Sequence, residues 1–313
     1  MTAAPIDARA APLIEIIAQL DRALAGADDE AWLLALDPDA TPGCYAGEPV
    51  ADGRHRPLRV WVELADRLGL RLRGPRPAGP GLVTVGFARR PASASAPAPT
   101  AVDPRERYGA ASSFARLDKR EEPGFVLDLA DALERVRLPP QPRILDLGVN
   151  TGDAIALVRA LQPALAARFV GVDHSASALA VARARFAADD VALYEADLAA
   201  LPTLPLGRFE LVLAIGVLQS PGVDDRALLR HVVQERLTAT GAVIIGVPNC
   251  RYQGGELSHG ARMRNFRQPE LGLVIKDVAF YRKYLQQHDR EVFVTGHHDL
   301  FVTGVARASR ELG

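Results

Sequence analysis

Cysteine is scarce in this 313-residue chain: Cys44 and Cys250 are the only two, far apart and outside any metal-ligand spacing. That excludes a disulfide framework and a cysteine-built metal centre, and it suits a reducing cytoplasm, where thiols stay unpaired. An excess of charge of either sign is also lacking. Lys+Arg number 37 and Asp+Glu 38, for a net charge of −1. No global field therefore draws the chain to nucleic acid or to an anionic membrane, although a local basic patch is not excluded. Lysine is rare, at Lys119, Lys276 and Lys283, and the other basic residues are arginines. No stretch approaches the roughly 18 uninterrupted apolar residues of a membrane span. The N-terminal MTAAPIDARAAPLIEII has an acidic residue and no long apolar core, so it does not read as a secretory signal. A cytoplasmic protein with no membrane partner is expected.

What is present is a core-forming composition, 48% hydrophobic and 24% charged, over a length that suits one large domain and a small one. Residues 12–25 place Leu13, Ile16, Ile17, Leu20 and Leu24 on one helical face, with Asp7 and Pro12 upstream as start signals. An apolar run at 31–36, a Pro/Gly loop at 38–56 and a helical pattern at 57–68 follow. Two short strands, 70–73 and 82–88, are joined by GPRPAGPG. Residues 1–90 thus read as a small accessory α+β domain. PASASAPAPTAVDP at 91–104 is too poor in large apolar residues to offset ordering and reads as a linker. Residues 105–313 remain as a catalytic-sized domain, opening with a helical lead-in that breaks at Pro139-Pro140.

In that domain, strand and helix alternate. Apolar runs at 143–147, 168–172, 190–194, 209–215 and 242–247 are short and bounded by Asp, Gly or Pro; helical patterns fill 153–163, 175–187 and 224–237. This order predicts a parallel sheet covered on both faces. After a helix at 276–288, EVFVTG and LFVTGVA are too close for a crossover and predict an antiparallel hairpin. The fold expected is α/β: a doubly wound, mostly parallel seven-stranded sheet with an antiparallel C-terminal hairpin strand, plus the small N-terminal α+β domain.

The first strand opens into Asp146-Leu147-Gly148-Val149-Asn150-Thr151-Gly152-Asp153 and then a helix. Such a turn lets backbone approach a ligand and is expected to point free N–H groups at it; alone, it is equally a tight structural bend. The second strand ends at Asp173, where a carboxylate can accept both ribose hydroxyls of an adenosine ligand. The alternative, a helix cap, is already supplied by Ser175. The third strand leads to Asp197 at the same edge, placed to meet an adenine amine. Three successive strand-edge acids make a constellation.

With these residues in view, positions from about 105 to 307 resemble the class I S-adenosylmethionine-dependent methyltransferases. The family's acid-x-Gly-x-Gly-x-Gly motif is matched by Asp146, Gly148 and Gly152, with Asn150 where the middle glycine is usual; Asn tolerates a left-handed backbone well. Asp173 matches the acid that ends the second motif and Asp197 the adenine-binding acid. Phe209–Gln219 matches the fourth strand, whose end lines the cofactor. The resemblance implies S-adenosylmethionine as cofactor, held by Asp146, Gly148, Asn150, Gly152, Asp173, His174, Asp197, Leu198 and Ile215. A dinucleotide-dependent oxidoreductase shares the early turn and ribose acid. Its Gly-x-Gly-x-x-Gly spacing fails here, however, and Asp146 suits a cation better than a pyrophosphate.

Methyl transfer leans on alignment more than on a fixed catalytic set. The segment 249–275 is long for a turn at the carboxyl edge of a sheet. It interleaves Arg251, Arg262, Arg264 and Arg267 with Tyr252 and Phe266, and an ordered lid of internal ion pairs is its structural alternative. Within it His259 is the candidate general base, and Tyr252, Arg262 and Arg264 are candidate acceptor contacts. No Asp/Asn-Pro-Pro-aromatic sequence follows the fourth strand, and no metal site is expected. Three functions stay open: methylation of an O or N on a small molecule, anionic or neutral, enclosed by 249–275 and the lead-in helix; RNA methylation with the arginine segment and N-terminal domain holding substrate; and a non-catalytic cofactor-binding scaffold.

Overall fold

The computed structural model describes residues 4–26, 29–90, 103–187, 191–253, 255–259 and 271–307. The chain divides into two compact units, one of Met1–Ala96 with Tyr252–Ser258 and one of Pro97–Arg251 with His259–Gly313.

In the first unit, β1 (Ile6–Asp7), α1 (Leu13–Ala25), β2 (Glu30–Leu36), a small ribbon of β3 (Pro49–Val50) and β4 (Gly53–Arg54), α2 (Leu58–Arg67), β5 (Leu70–Gly79) and β6 (Leu82–Arg89) follow in order. The main sheet runs β1-β2-β6-β5. Alternation puts Ala31, Leu33, Ala35, Val83, Val85 and Phe87 on one face. There they pack on Ile16, Leu20 and Leu24 of α1 and on Trp61, Leu64 and Ala65 of α2. The hairpin differs from expectation. Strand β5 runs on through Pro75 and Pro77 to Gly79, and only Pro80-Gly81 remain for the turn. An edge strand can hold prolines, because it lacks a partner on one side, and a register shift between Arg73 and Arg76 accommodates them.

The second unit opens with three single-turn 3₁₀ pieces, Pro104–Glu106, Ser113–Arg116 and Lys119–Glu121, rather than a continuous helical lead-in. Then come α3 (Pro123–Glu134), β7 (Arg143–Leu147), α4 (Asp153–Leu161), β8 (Arg168–Asp173), α5 (Ala176–Arg185), β9 (Val191–Glu195), β10 (Phe209–Ile215), α6 (Asp225–His231) and β11 (Leu237–Pro248). A short ribbon of β12 (Cys250–Gln253) and β13 (Glu256–His259) precedes α7 (Gly272–Gln287), β14 (Arg290–Gly296) and β15 (Asp299–Ala306). Helix α6 stops at His231, short of the expected 237, because a π turn at Val232–Arg236 hands the chain directly to β11.

The seven-stranded sheet has the order β14-β15-β11-β10-β7-β8-β9, with β15 alone antiparallel to its neighbours. The expected doubly wound sheet with a reversed C-terminal strand is what forms. Alternate residues feed its two faces. Ile144, Phe169, Leu211, Leu213 and Ile244 meet α3, α4 and α5; Leu145, Val170, Val172, Val212 and Ile245 meet α6 and α7. From β7 the chain winds outward through β8 and β9, then returns to build β10 and β11 on the other side. The carboxyl ends of β7 and β10 therefore flank a topological switch point, where open α/β sheets leave a crevice for ligand.

Candidate active site

The turn after β7 is held open by backbone that side chains rarely adopt. Gly148, Asn150 and Gly152 have φ of 70°, 47° and 85°. A Cβ on Gly148 would lie 2.4 Å from Val217 Cγ2, and one on Gly152 would lie 2.3 Å from Phe186 Cε2. Asn150 keeps the left-handed conformation that a middle glycine would take. It also closes the turn on itself, since its Oδ1 accepts from the Thr151 N–H at 2.9 Å.

The expectation of free amides in this turn is corrected. Gly148 and Val149 donate to the Val172 carbonyl and Gly152 to the Val149 carbonyl. Asn150 N–H donates to Asp173 Oδ2 at 2.9 Å. The amides of the turn itself are thus engaged within the protein.

Acids dominate instead. Asp146 sits inside β7, opposite Gly171 of β8 and Leu213 of β10, and is 2% exposed. Its Oδ2 has no hydrogen-bond partner. Burial, with Asp173 and Asp153 nearby, pushes its carboxyl up to about 8. Asp173 ends β8, buried, with Oδ1 accepting from Ser175 N–H at 2.9 Å while Oδ2 holds the turn. Ser175 is the cap of α5, as expected, its Oγ accepting from Ala178 N–H at 3.1 Å. Asp197 lies exposed, two residues past β9, and caps the 3₁₀ turn Leu198–Thr203 through Ala199 N–H at 2.8 Å. His174 is half-buried beside Asp173, Leu198 is buried, and Ile215 is half-buried at the end of β10.

Residues 103–121 lie across this edge as a strap, which the sequence reading did not find. Asn150 Nδ2 donates to the Tyr108 carbonyl at 2.8 Å. Ala110 N–H donates to Ser177 Oγ at 2.9 Å, and the Glu106 carboxylate accepts from the hydroxyls of Ser175 (3.0 Å) and Ser177. The Ser177 hydrogen bond, then that of Ser175, holds the Glu106 carboxyl below the usual range. Arg120 lies 3.7 Å from Asp153, the first residue of α4. The only sequence signal was the repeated serine after Asp173.

On the β10–β11 side, Lys119 Nζ meets the buried Asp299 at 2.5 Å. Tyr281 is fully buried, donates to Asp225 Oδ2 at 2.9 Å and accepts from Gln219 Nε2 at 3.2 Å. Its phenol is pushed up by burial and by Asp225. Of the expected acceptor contacts, Tyr252 is half-buried in β12, in the part of that ribbon grouped with the first unit. The side chain of His259 and the whole of Arg262 and Arg264 lie outside the described residues.

Residues 144–238 match the family model of a methyltransferase domain. Over this stretch, less than half of the chain, the sequence is similar to methyltransferase domains. The resemblance read from the motifs is thereby borne out over that span, which runs from β7 to the start of β11. Similar solved structures include a chain of the complex between the Haloferax volcanii Trm112 methyltransferase activator and a methyltransferase. It is 17% identical, with 66% of this chain and 99% of that one covered and a TM-score of 0.47. The precorrin-6y C5,15-methyltransferase of Geobacter metallireducens is 17% identical over 57% of this chain and 87% of its own, at a TM-score of 0.40. A TehB-like methyltransferase of Corynebacterium glutamicum is 16% identical over 57% and 86%, at 0.38. No curated protein matches the chain by sequence.

Proposed function

We propose that the chain is an S-adenosylmethionine-dependent methyltransferase that binds its cofactor at the edge formed by residues 146–216. The observation that carries this reading is Asp146: a buried carboxylate with an orphaned oxygen, beside a turn whose amides are already satisfied. Such a site suits a cation and disfavours a phosphate, since bringing up a positive ligand relieves the repulsion among Asp146, Asp153 and Asp173. A dinucleotide would need the opposite.

The cofactor supplies a methyl group already bonded to a good leaving group. This chain's own residues then bind and align. Asp146 would balance the positive charge of the methionine part, and Gly148, Asn150 and Gly152 would let backbone lie close to it. Each oxygen of Asp173 keeps a lone pair beyond the amide it accepts, enough for two ribose hydroxyls. Asp197 likewise retains an oxygen for adenine, with His174, Leu198 and Ile215 as its apolar and edge contacts. Tyr252, Arg262 and Arg264 would contact the acceptor, and His259 would take a proton where the acceptor oxygen or nitrogen must lose one.

For the acceptor, the near-neutral net charge supports an O or N of a small molecule. A second reading, an RNA acceptor, is supported by Arg71, Arg73 and Arg76, exposed along β5 of the first unit. Cofactor labelled on its methyl group, incubated with the protein and a fractionated lysate, tests both. Label in small metabolites supports the first reading and label in RNA the second. Asp146→Asn is the control, because Asp173 also holds the turn and its loss would confound binding with folding. Label transfer that survives Asp146→Asn undiminished would overturn the site assignment.

A further inference from the structure

Both helices of the first unit cover one face of the β1-β2-β6-β5 sheet, and the opposite face is built differently. Its rows follow from the register. Glu30, Ala88 and Arg71 stand side by side across β2, β6 and β5; Trp32, Gly86 and Arg73 form the next row; Leu34, Thr84 and Arg76 form the third. The central strand thus offers only Ala88, Gly86 and Thr84, a small-residue floor between a wall of Glu30, Trp32 and Leu34 and an arginine wall, with Arg73 Nε 3.9 Å from Glu30 Oε2.

The bulge in β5 is what makes the wall continuous. Without the extra residue between Arg73 and Arg76, alternation would turn Arg76 to the helical face. Trp32 lies down on the floor: a Cβ on Gly86 would come within 3.0 Å of its ring. Its Nε1 donates to Glu30 Oε1 at 3.3 Å, which fixes the plane of the indole. The Arg76 guanidinium stacks over that plane, 4.2 Å from the ring centroid. Trp32 is half-buried, while Arg71, Arg73 and Arg76 are exposed. A planar stack flanked by cations is what unpaired bases and their phosphates recognise. Duplex nucleic acid keeps its base faces stacked inside, so the occupant must be single-stranded, and folded RNA presents such segments in loops.

We propose that this sheet face binds single-stranded RNA, bases stacking on the Trp32–Arg76 pair and phosphates meeting Arg73 and its neighbours. The proposal deepens the second acceptor reading above, but its test needs no cofactor, so its failure leaves methyl transfer untouched.

The experiment uses the full chain and a labelled 12-nucleotide single-stranded RNA, read by fluorescence anisotropy over a range of salt. Trp32 emission is followed in parallel. The chain has two tryptophans and Trp61 is fully buried, so contact quenching reports on Trp32. RNA binding is expected to quench that emission. Arg73→Ala and Arg76→Ala, both at exposed positions, are each expected to weaken binding about tenfold and to lower the salt slope by about 0.7. Arg22→Ala on α1, on the helical side of the sheet, is expected to change neither. Absence of quenching overturns the proposal. So does equal binding of a duplex or of polyglutamate, or an Arg22→Ala effect as large as the other two.

Discussion

Asn150 shows how one side chain does the work of a glycine and adds something to it. Its left-handed backbone is the conformation the turn requires, and its amide reaches the Tyr108 carbonyl that a glycine could not. Asn150→Gly should therefore fold with nearly unchanged thermal stability but release cofactor several-fold faster in stopped-flow measurements. Asn150→Ala should lose stability as well, by ~1–2 kcal/mol for a left-handed non-glycine residue. At Gly152 a methyl group meets the Phe186 ring on top of the same backbone cost. Gly152→Ala should lower the melting temperature more than either. Asp146 carries a pH signature. Its folded carboxyl, near 8, lies above the ordinary value of 3.8, so the folded state binds the extra proton. The cofactor-free protein should accordingly lose stability as pH rises from about 4 to about 8. Asp146→Asn should remove that slope in a series of thermal melts.

At the scale of elements, the strap across 103–121 is tied to α5 through Glu106 and the serines, and to the turn through Tyr108. Ser177→Ala breaks two of those ties without touching the α5 cap, which belongs to Ser175. Tryptic cleavage after Arg105 and Arg107 should become faster in this variant, and cofactor should slow it again. These ties also mark where the sequence stopped being informative. Strand ends and the acid-glycine turn were readable, because two-residue alternation, buried apolar runs and positive-φ residues leave a local signature. The strap was not, because Glu106 and Ser177 are distant in sequence and isolated serines and glutamates carry no periodicity. The amides of the turn misled for a related reason. A glycine-rich bend looks open in sequence, while its hydrogen bonds to Val172 and Asp173 depend on the neighbouring strand. Likewise the prolines of β5 read as a loop, since edge position is a property of the whole sheet.

Across the molecule, every residue assigned to the cofactor lies in the second unit, and the arginine-lined sheet lies in the first. A chain lacking residues 1–90 is therefore expected to keep cofactor affinity within about twofold by calorimetry and to lose RNA binding. The central claim concerns charge: that a buried, unpartnered carboxylate is there to meet a cationic cofactor. Its most direct test is the affinity for S-adenosylmethionine, by equilibrium dialysis of methyl-labelled cofactor, across pH 6 to 9 in the native chain and in Asp146→Asn. Because binding a cation favours the ionised carboxyl, native affinity should rise by up to about tenfold per pH unit and level off above about 8. The variant should bind far more weakly above that pH and lack this component of the rise. Equal affinities with superimposable pH profiles would contradict the account.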